Sequence, residues 1–323
     1  MTLSPDSLAL LLLCSHLGVN DDSAKPLTLR EWNPLASKLQ SLNLRPGDLL
    51  DWSASDLQMQ LAISSDESDR LERMLERRGS LAIALERLEL RDIHPLTRAD
   101  PDYPERYRTR LKDSAPAVLF YSGEKALLGQ PGIAVVGSRH LDDAGQECAK
   151  FVGNACGFSG LVLYSGGAKG VDTLSMDSAL VARGTAVGVL ADSLEKVVRT
   201  RQQVLRRGDL CLVTPYSPDA GFSVGAAMGR NRLIYTLADY AIVVASDAGT
   251  GGTWAGAKET LKNHWIPVFV LEHENMPDGN KLLLQKGAIG FPHPFNQPSS
   301  KLQTWLDIHS SNFASNPVQP GLF

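Results

Sequence analysis

From Gly132 onward, short apolar runs recur at near-regular intervals: "GIAVVGS", "LVLYSGG", "TAVGVLA", "LCLVTPY", "YAIVVAS" and "IPVFVLE". Between them lie segments with helical patterning, such as "DDAGQECAKFVGNACG", "VDTLSMDSALVARG" and "GGTWAGAKETLKNH". Strands that are apolar on both sides must be covered on both faces. Their alternation with helices demands βαβ units and a mostly parallel sheet. The predicted fold class is therefore α/β, with helices on both faces of the sheet.

The chain before this point reads differently. "SPDSLALLLLC" starts behind Ser4 or Asp6 as an N-cap, and "TLREWNPLASKLQSL" starts behind Thr28. "DESDRLERMLERRGSLAIALERLELR" continues the helical pattern, with Gly79 expected to close one helix before the next. Residues 1–95 are thus expected to form a small all-helical domain, 96–300 the α/β domain, and 301–323 a C-terminal segment with a mobile tail. "HPLTRADPDYPERYRTRLKDSAPAVLFYSGE" reads as a proline-rich connector ending in a strand. The early run "LALLLLCSHLGV" has no basic flank and is too short to span a bilayer, so it is expected to be a buried helix.

Composition excludes several classes. With 43% hydrophobic and 21% charged residues, the chain is an ordinary globular one. Its four cysteines lie far apart and without metal-ligand spacing, which predicts neither a zinc site nor a disulfide framework and points to a reducing, cytoplasmic setting. A net charge of −4 excludes indiscriminate coating of nucleic acid. Arg199, Arg201, Arg206 and Arg207 cluster locally, and are read as a solvated helix face.

In an open parallel sheet, ligands bind beyond the carboxyl ends of the strands. Three suspicious turns fall at that edge: Gly137-Ser138-Arg139, Ser165-Gly166-Gly167 with Lys169 and Gly170, and Gly251-Gly252-Thr253. Each offers backbone N–H groups at a helix start, where an anion is favoured. Together with Arg139 and Lys169 they predict a phosphate-binding surface, although neither the P-loop nor the dinucleotide fingerprint occurs. Arg230, Asn231 and Arg232 are placed at a helix start, where two cations oppose the helix dipole unless an anion is nearby. Phe222, in a Gly/Ser/Pro loop, is either a base-stacking ring or a core plug. Asp172 is either a base or a cap, and Glu259 either faces a ligand or is a surface residue. No catalytic constellation, cofactor site or metal site is assigned.

The ordered motifs "DYPERY", "PAVLFYSG", "GIAVVGSR", "SGGAKGVD", "GRNRLIYTLADYAIVV" and "AGTGGTWAGA" resemble the DNA-processing protein A (DprA/Smf) family over about Tyr103 to Ala257. The resemblance implies an extended Rossmann-like domain that binds single-stranded DNA, homodimerises and loads a RecA-type recombinase, without catalysis. It implies a DNA pocket at Arg139, Ser165, Gly166, Gly170, Arg230 and Arg232, with Lys169 and Phe222 beside it. The chain departs from the family in "LSMDSAL" and "DSLEKVVRTR", and in lacking a winged-helix-like end. The fold also resembles a wider superfamily containing nucleotide phosphoribohydrolases and nucleotide sensors. "GTGGTWAGAKE" echoes the hydrolase motif with Glu259 shifted, so hydrolysis or sensing of a nucleotide is the alternative. The ending "QPGLF" resembles a sliding-clamp-binding peptide, with Gln319, Leu322 and Phe323 as the contacts.

Overall fold

The structure, a computed structural model, describes residues 3–19 and 25–313. These divide into two compact units, one of residues 3–121 with 215–218 and one of 122–214 with 219–313. The tail residues Gln319, Leu322 and Phe323 lie outside the described residues.

The first unit is built on α1 (Pro5–Cys14), capped by Ser4, whose side chain accepts from the Ser7 N–H. Ala9 to Leu13 are wholly buried, so the apolar run is a core helix as expected. Around it lie α2 (Leu29–Ser41), α3 (Ala54–Leu61), α4 (Ser65–Leu75) and α5 (Arg78–Glu89). Reciprocal capping pairs Thr28/Glu31, Ser53/Asp56 and Ser64/Glu67 start α2, α3 and α4, each satisfying donors that the first turn cannot pair internally. Glu31 also pairs with Arg70 at 2.7 Å. That hydrogen bond, with the Thr28 N–H next, holds its carboxyl at about 2.

Gly79 does not end a helix. The break falls earlier, after Leu75, and Gly79 lies inside the first turn of α5. The Arg77 guanidinium fixes this break by donating to the carbonyls of Leu12, Leu17 and Met74.

The proline-rich connector ends in the expected strand, β2 (Val118–Gly123), and conceals another, β1 (His94–Thr97), which pairs with it antiparallel with Thr97 opposite Val118. Between them α6 (Glu105–Leu111) carries much of "DYPERY". Tyr103 and Tyr107 are buried, the Tyr103 hydroxyl donates to Pro116 O at 2.7 Å, and Arg108 donates to the carbonyls of Arg98 and Asp100. The motif is framework.

The second unit is the predicted α/β sheet. In chain order it runs β3 (Gly132–Gly137), α7 (Asp143–Ser159), β4 (Val162–Ser165), α8 (Val171–Val181), β5 (Ala186–Val189), α9 (Leu194–Arg206) and β6 (Leu210–Thr214). It continues with α10 (Val224–Leu237), β7 (Tyr240–Ala245), α11 (Gly251–Asn263), β8 (Val268–Glu272), α12 (Asp278–Gln285), β9 (Ile289–Pro292) and α13 (Leu302–His309). These strands lie in the order β6-β5-β4-β3-β7-β8-β9, and each neighbouring pair is parallel.

The chain builds outward from β3 to β6, then returns along α10 to place β7 beside β3. Right-handed crossovers therefore put α7, α8 and α9 on one face and α10, α11 and α12 on the other. The order reverses between β3 and β7, and the crevice beyond their carboxyl ends is where such sheets receive ligands. α13 folds back on an aromatic cluster of Phe269, Phe291, Phe295 and Trp305.

Among the described residues no helix is long and apolar enough to cross a membrane, and no cluster of three His, Cys, Asp or Glu could hold a metal.

Candidate nucleic-acid interface

The turn after β3 meets the turn after β4 at the point of strand reversal. Gly170 has φ +89°, and a Cβ there would stand 2.5 Å from Ser138 O and 2.7 Å from Arg139 Cα. Only glycine permits both this backbone and this approach. The Ser138 carbonyl accepts from Val171 N, and the Ser138 N–H donates to Ala245 O at 2.9 Å, fastening the same turn to the end of β7. Arg139 and Lys169, on adjacent turns, are both exposed.

Phe222 is no core plug. It is 56% exposed, and the Arg139 guanidinium lies over its ring at 5.8 Å from the centroid. A cation over an aromatic face is weakly favourable and keeps both groups at the surface. The structure thus joins two candidates from segments more than eighty residues apart. Ser193 N donates to Ala220 O at 2.8 Å, which docks the loop carrying Phe222 onto the start of α9.

The Arg-Asn-Arg segment is placed differently from expectation. Helix α10 begins at Val224, where Ser223 accepts from the Ala226 N–H at 3.0 Å, so Arg230 lies nearly two turns inside. The glycine-rich run "GFSVGAAMG" conceals this start, and the dipole argument for an anion beside Arg230 falls away. Arg230 is 6% exposed and points inward, donating through Nη1 to Val189 O at 2.6 Å. Its guanidinium lies on Gly166, where a Cβ would overlap it, and beside the carboxylate of Asp172. Asn231 turns its amide onto Gly252 at the start of α11. Arg232 is half-buried and is itself engaged within the protein.

Asp172, in the first turn of α8, is 6% exposed. Burial pushes its carboxyl up from the ordinary value, while Arg230 and the N–H groups of Ala168 and Gly166 pull it back. Its Oδ2 accepts from Ala168 N at 3.3 Å. The β4 turn is therefore not bare throughout, because Asp172 occupies part of its donor set. Ser165 is wholly buried and donates to Val135 O at 2.6 Å, so it locks β4 to β3.

One positioning residue escaped the sequence reading. Buried Asn280 accepts from Ser246 N at 2.9 Å and donates to Val244 O and Leu271 O at 3.0 Å. It fixes the end of β7, from which the exposed Asp247–Gly251 loop leads into Gly252 and Thr253. An asparagine within a short amphipathic helix carries no local signal of such a role.

Glu259 lies eight residues beyond Gly251 on α11, about 12 Å along the axis, and is half-exposed. The exposed groups gathered at the strand reversal are a guanidinium, an ammonium, an aromatic ring and backbone turns. They suit an anion joined to a planar base.

A sequence model of the family described as "DNA recombination-mediator protein A" matches residues 94–296. The chain is 31% identical over 180 residues to the DNA processing protein DprA of Streptococcus pneumoniae, covering 54% of this chain and 63% of that one. It is 30% identical over 165 residues to protein Smf of Synechocystis, covering 48% and 40%. The matches thus span less than two thirds of these relatives. The X-ray structure of the pneumococcal protein superposes with a TM-score of 0.67 at 21% identity, over 90% of this chain and 95% of that one. The Helicobacter pylori DNA processing protein A, described for its single-stranded DNA binding mode, gives 0.55 at 24% identity, over 69% and 97%. These structural likenesses establish the shared fold.

Proposed function

Because the chain belongs to the DNA recombination-mediator protein A family, we propose that it binds single-stranded DNA at the strand-reversal edge and presents it to a RecA-type recombinase. The observation that carries this reading is the exposed Arg139–Phe222 pair set against Lys169 and the Gly170 turn. Arg139 and Lys169 contact phosphates, Phe222 offers its free face to a base, and the Gly251–Thr253 turn adds backbone N–H groups. Stacking on a ring is sequence-tolerant and requires an unpaired base, so binding favours single strands over duplex and carries little sequence preference. Arg230, Asn231 and Ser165 position these groups from beneath. Homodimerisation, the recombinase contact and the clamp-binding tail rest on the sequence resemblance alone.

Fluorescence anisotropy with labelled oligo-dT and its duplex tests the reading. Arg139→Ala and Phe222→Ala are each expected to weaken single-strand binding about tenfold, the loss of one phosphate or stacking contact. Wild-type protein that binds neither strand form, or variants that bind as well as wild type, would refute it. The hydrolase alternative rests on Glu259, which is half-exposed and lies well down α11 from this edge.

A further inference from the structure

The surface of helix α9 is unusual for a protein of net charge −4. Leu194, Val198 and Leu205 are buried and seat it on the sheet. Lys196, Arg199, Gln203 and Arg206 are all exposed, at spacings of three, four and three, which puts them in one row along the outer face. Two other arginines of this segment are paired: Arg201 with Asp177 and Arg207 with Asp209, each at 2.7 Å. Among the described residues no ion pair is seen for Lys196, Arg199 or Arg206, and neighbouring Glu195 has an interaction of its own. Three unneutralised cations in a row are not the paired surface that a merely solvated helix would carry.

The placement of the row gives it a ligand. α9 starts at the same strand edge as the Arg139–Phe222 pair, and the Ser193–Ala220 hydrogen bond ties its start to the Phe222 loop. The buried Arg230 guanidinium reaches Val189 O at the end of β5, immediately before the α9 connection. A chain of phosphates leaving Phe222 therefore meets the first turn of α9. From Lys196 to Arg206 the helix then offers about 15 Å of cationic row, sufficient for a few further nucleotides.

We propose that the outer face of α9 is a second single-stranded DNA contact, extending the track from the Arg139–Phe222 pair through Lys196, Arg199 and Arg206. This rests on the single-strand reading of that pair. The row contacts only phosphates, so it lengthens the footprint without adding sequence preference.

The test compares labelled oligo-dT of about 6 nucleotides, which fills the first contact, with one of about 20 nucleotides, which reaches α9. The variant is Lys196→Ala/Arg199→Ala/Arg206→Ala, all at exposed positions, with its melting curve checked against wild type. The long oligonucleotide is expected to bind wild type more tightly than the short one. In the variant that advantage is lost, a fall of about tenfold or more, while the short one binds unchanged. Equal binding of both lengths by wild type would overturn the proposal, as would an unchanged long-oligonucleotide affinity in the variant. A parallel loss for both lengths would also overturn it, by showing a diffuse charge effect. Wild-type protein that binds neither length would instead strike the underlying single-strand reading.

Discussion

Asp172→Ala is expected to lower stability by about 3–5 kcal/mol, because it leaves the Arg230 guanidinium buried without its counter-charge. The two side chains are each 6% exposed and lie together over Gly166. The carboxylate also accepts from the β4 turn, so its removal leaves the Ala168 N–H without its acceptor. Replacing both partners, as in Asp172→Leu/Arg230→Leu, is expected to cost less than the single change, since no charge is then left unpaired. Thermal unfolding of the two variants beside wild type checks this. A single-variant cost no greater than that of a surface substitution would show that the pair does not hold the turn.

Gly170→Ala should damage binding without removing any charged group. A methyl there would meet Ser138 O and Arg139 Cα, in a backbone conformation with φ +89°. The strain and the enforced separation together cost about 2–4 kcal/mol. Relief requires the β3 and β4 turns to part, which moves Arg139 away from Lys169. The expected outcome is a melting point several degrees lower, together with single-strand affinity reduced about tenfold. A control at Gly208, where a Cβ would meet nothing within 4 Å although φ is +78°, separates local strain from loss of the turn contact. Binding retained by the Gly170 variant would mean that the two turns act separately.

The sheet was legible because short runs apolar on both faces recur between segments of helical pattern. The short β1 was not, since Pro95 interrupts it and its pairing with β2 is long-range. β9, with its glycine and proline at the sheet edge, was missed for the same kind of reason. In the site, the glycine turns announced themselves because each falls where a strand gives way to a helix. Arg230 could not be read correctly: a glycine-rich run hid the start of α10, and whether an arginine turns out or in depends on what the sheet order puts beneath it. Asp172 was weighed as a base or a cap. Its pairing with Arg230 across Gly166 is visible only when β4 and α10 are brought together.

On the proposed single-strand reading, the inward course of Arg230 also sets how many ions are displaced on binding. With that guanidinium held beneath the surface, the exposed cations at the strand-reversal edge are Arg139 and Lys169. Two neutralised phosphates on a short single strand correspond to a slope of about −1.4 in log K against log salt concentration. On the proposed track, a strand long enough to run along α9 meets three more cations and the expected slope steepens to about −3.5. The steepness of the salt dependence would thus count the phosphates neutralised, and a short oligonucleotide held mostly by stacking and backbone contacts is expected to remain bound in salt that strips a longer one back to the same footing.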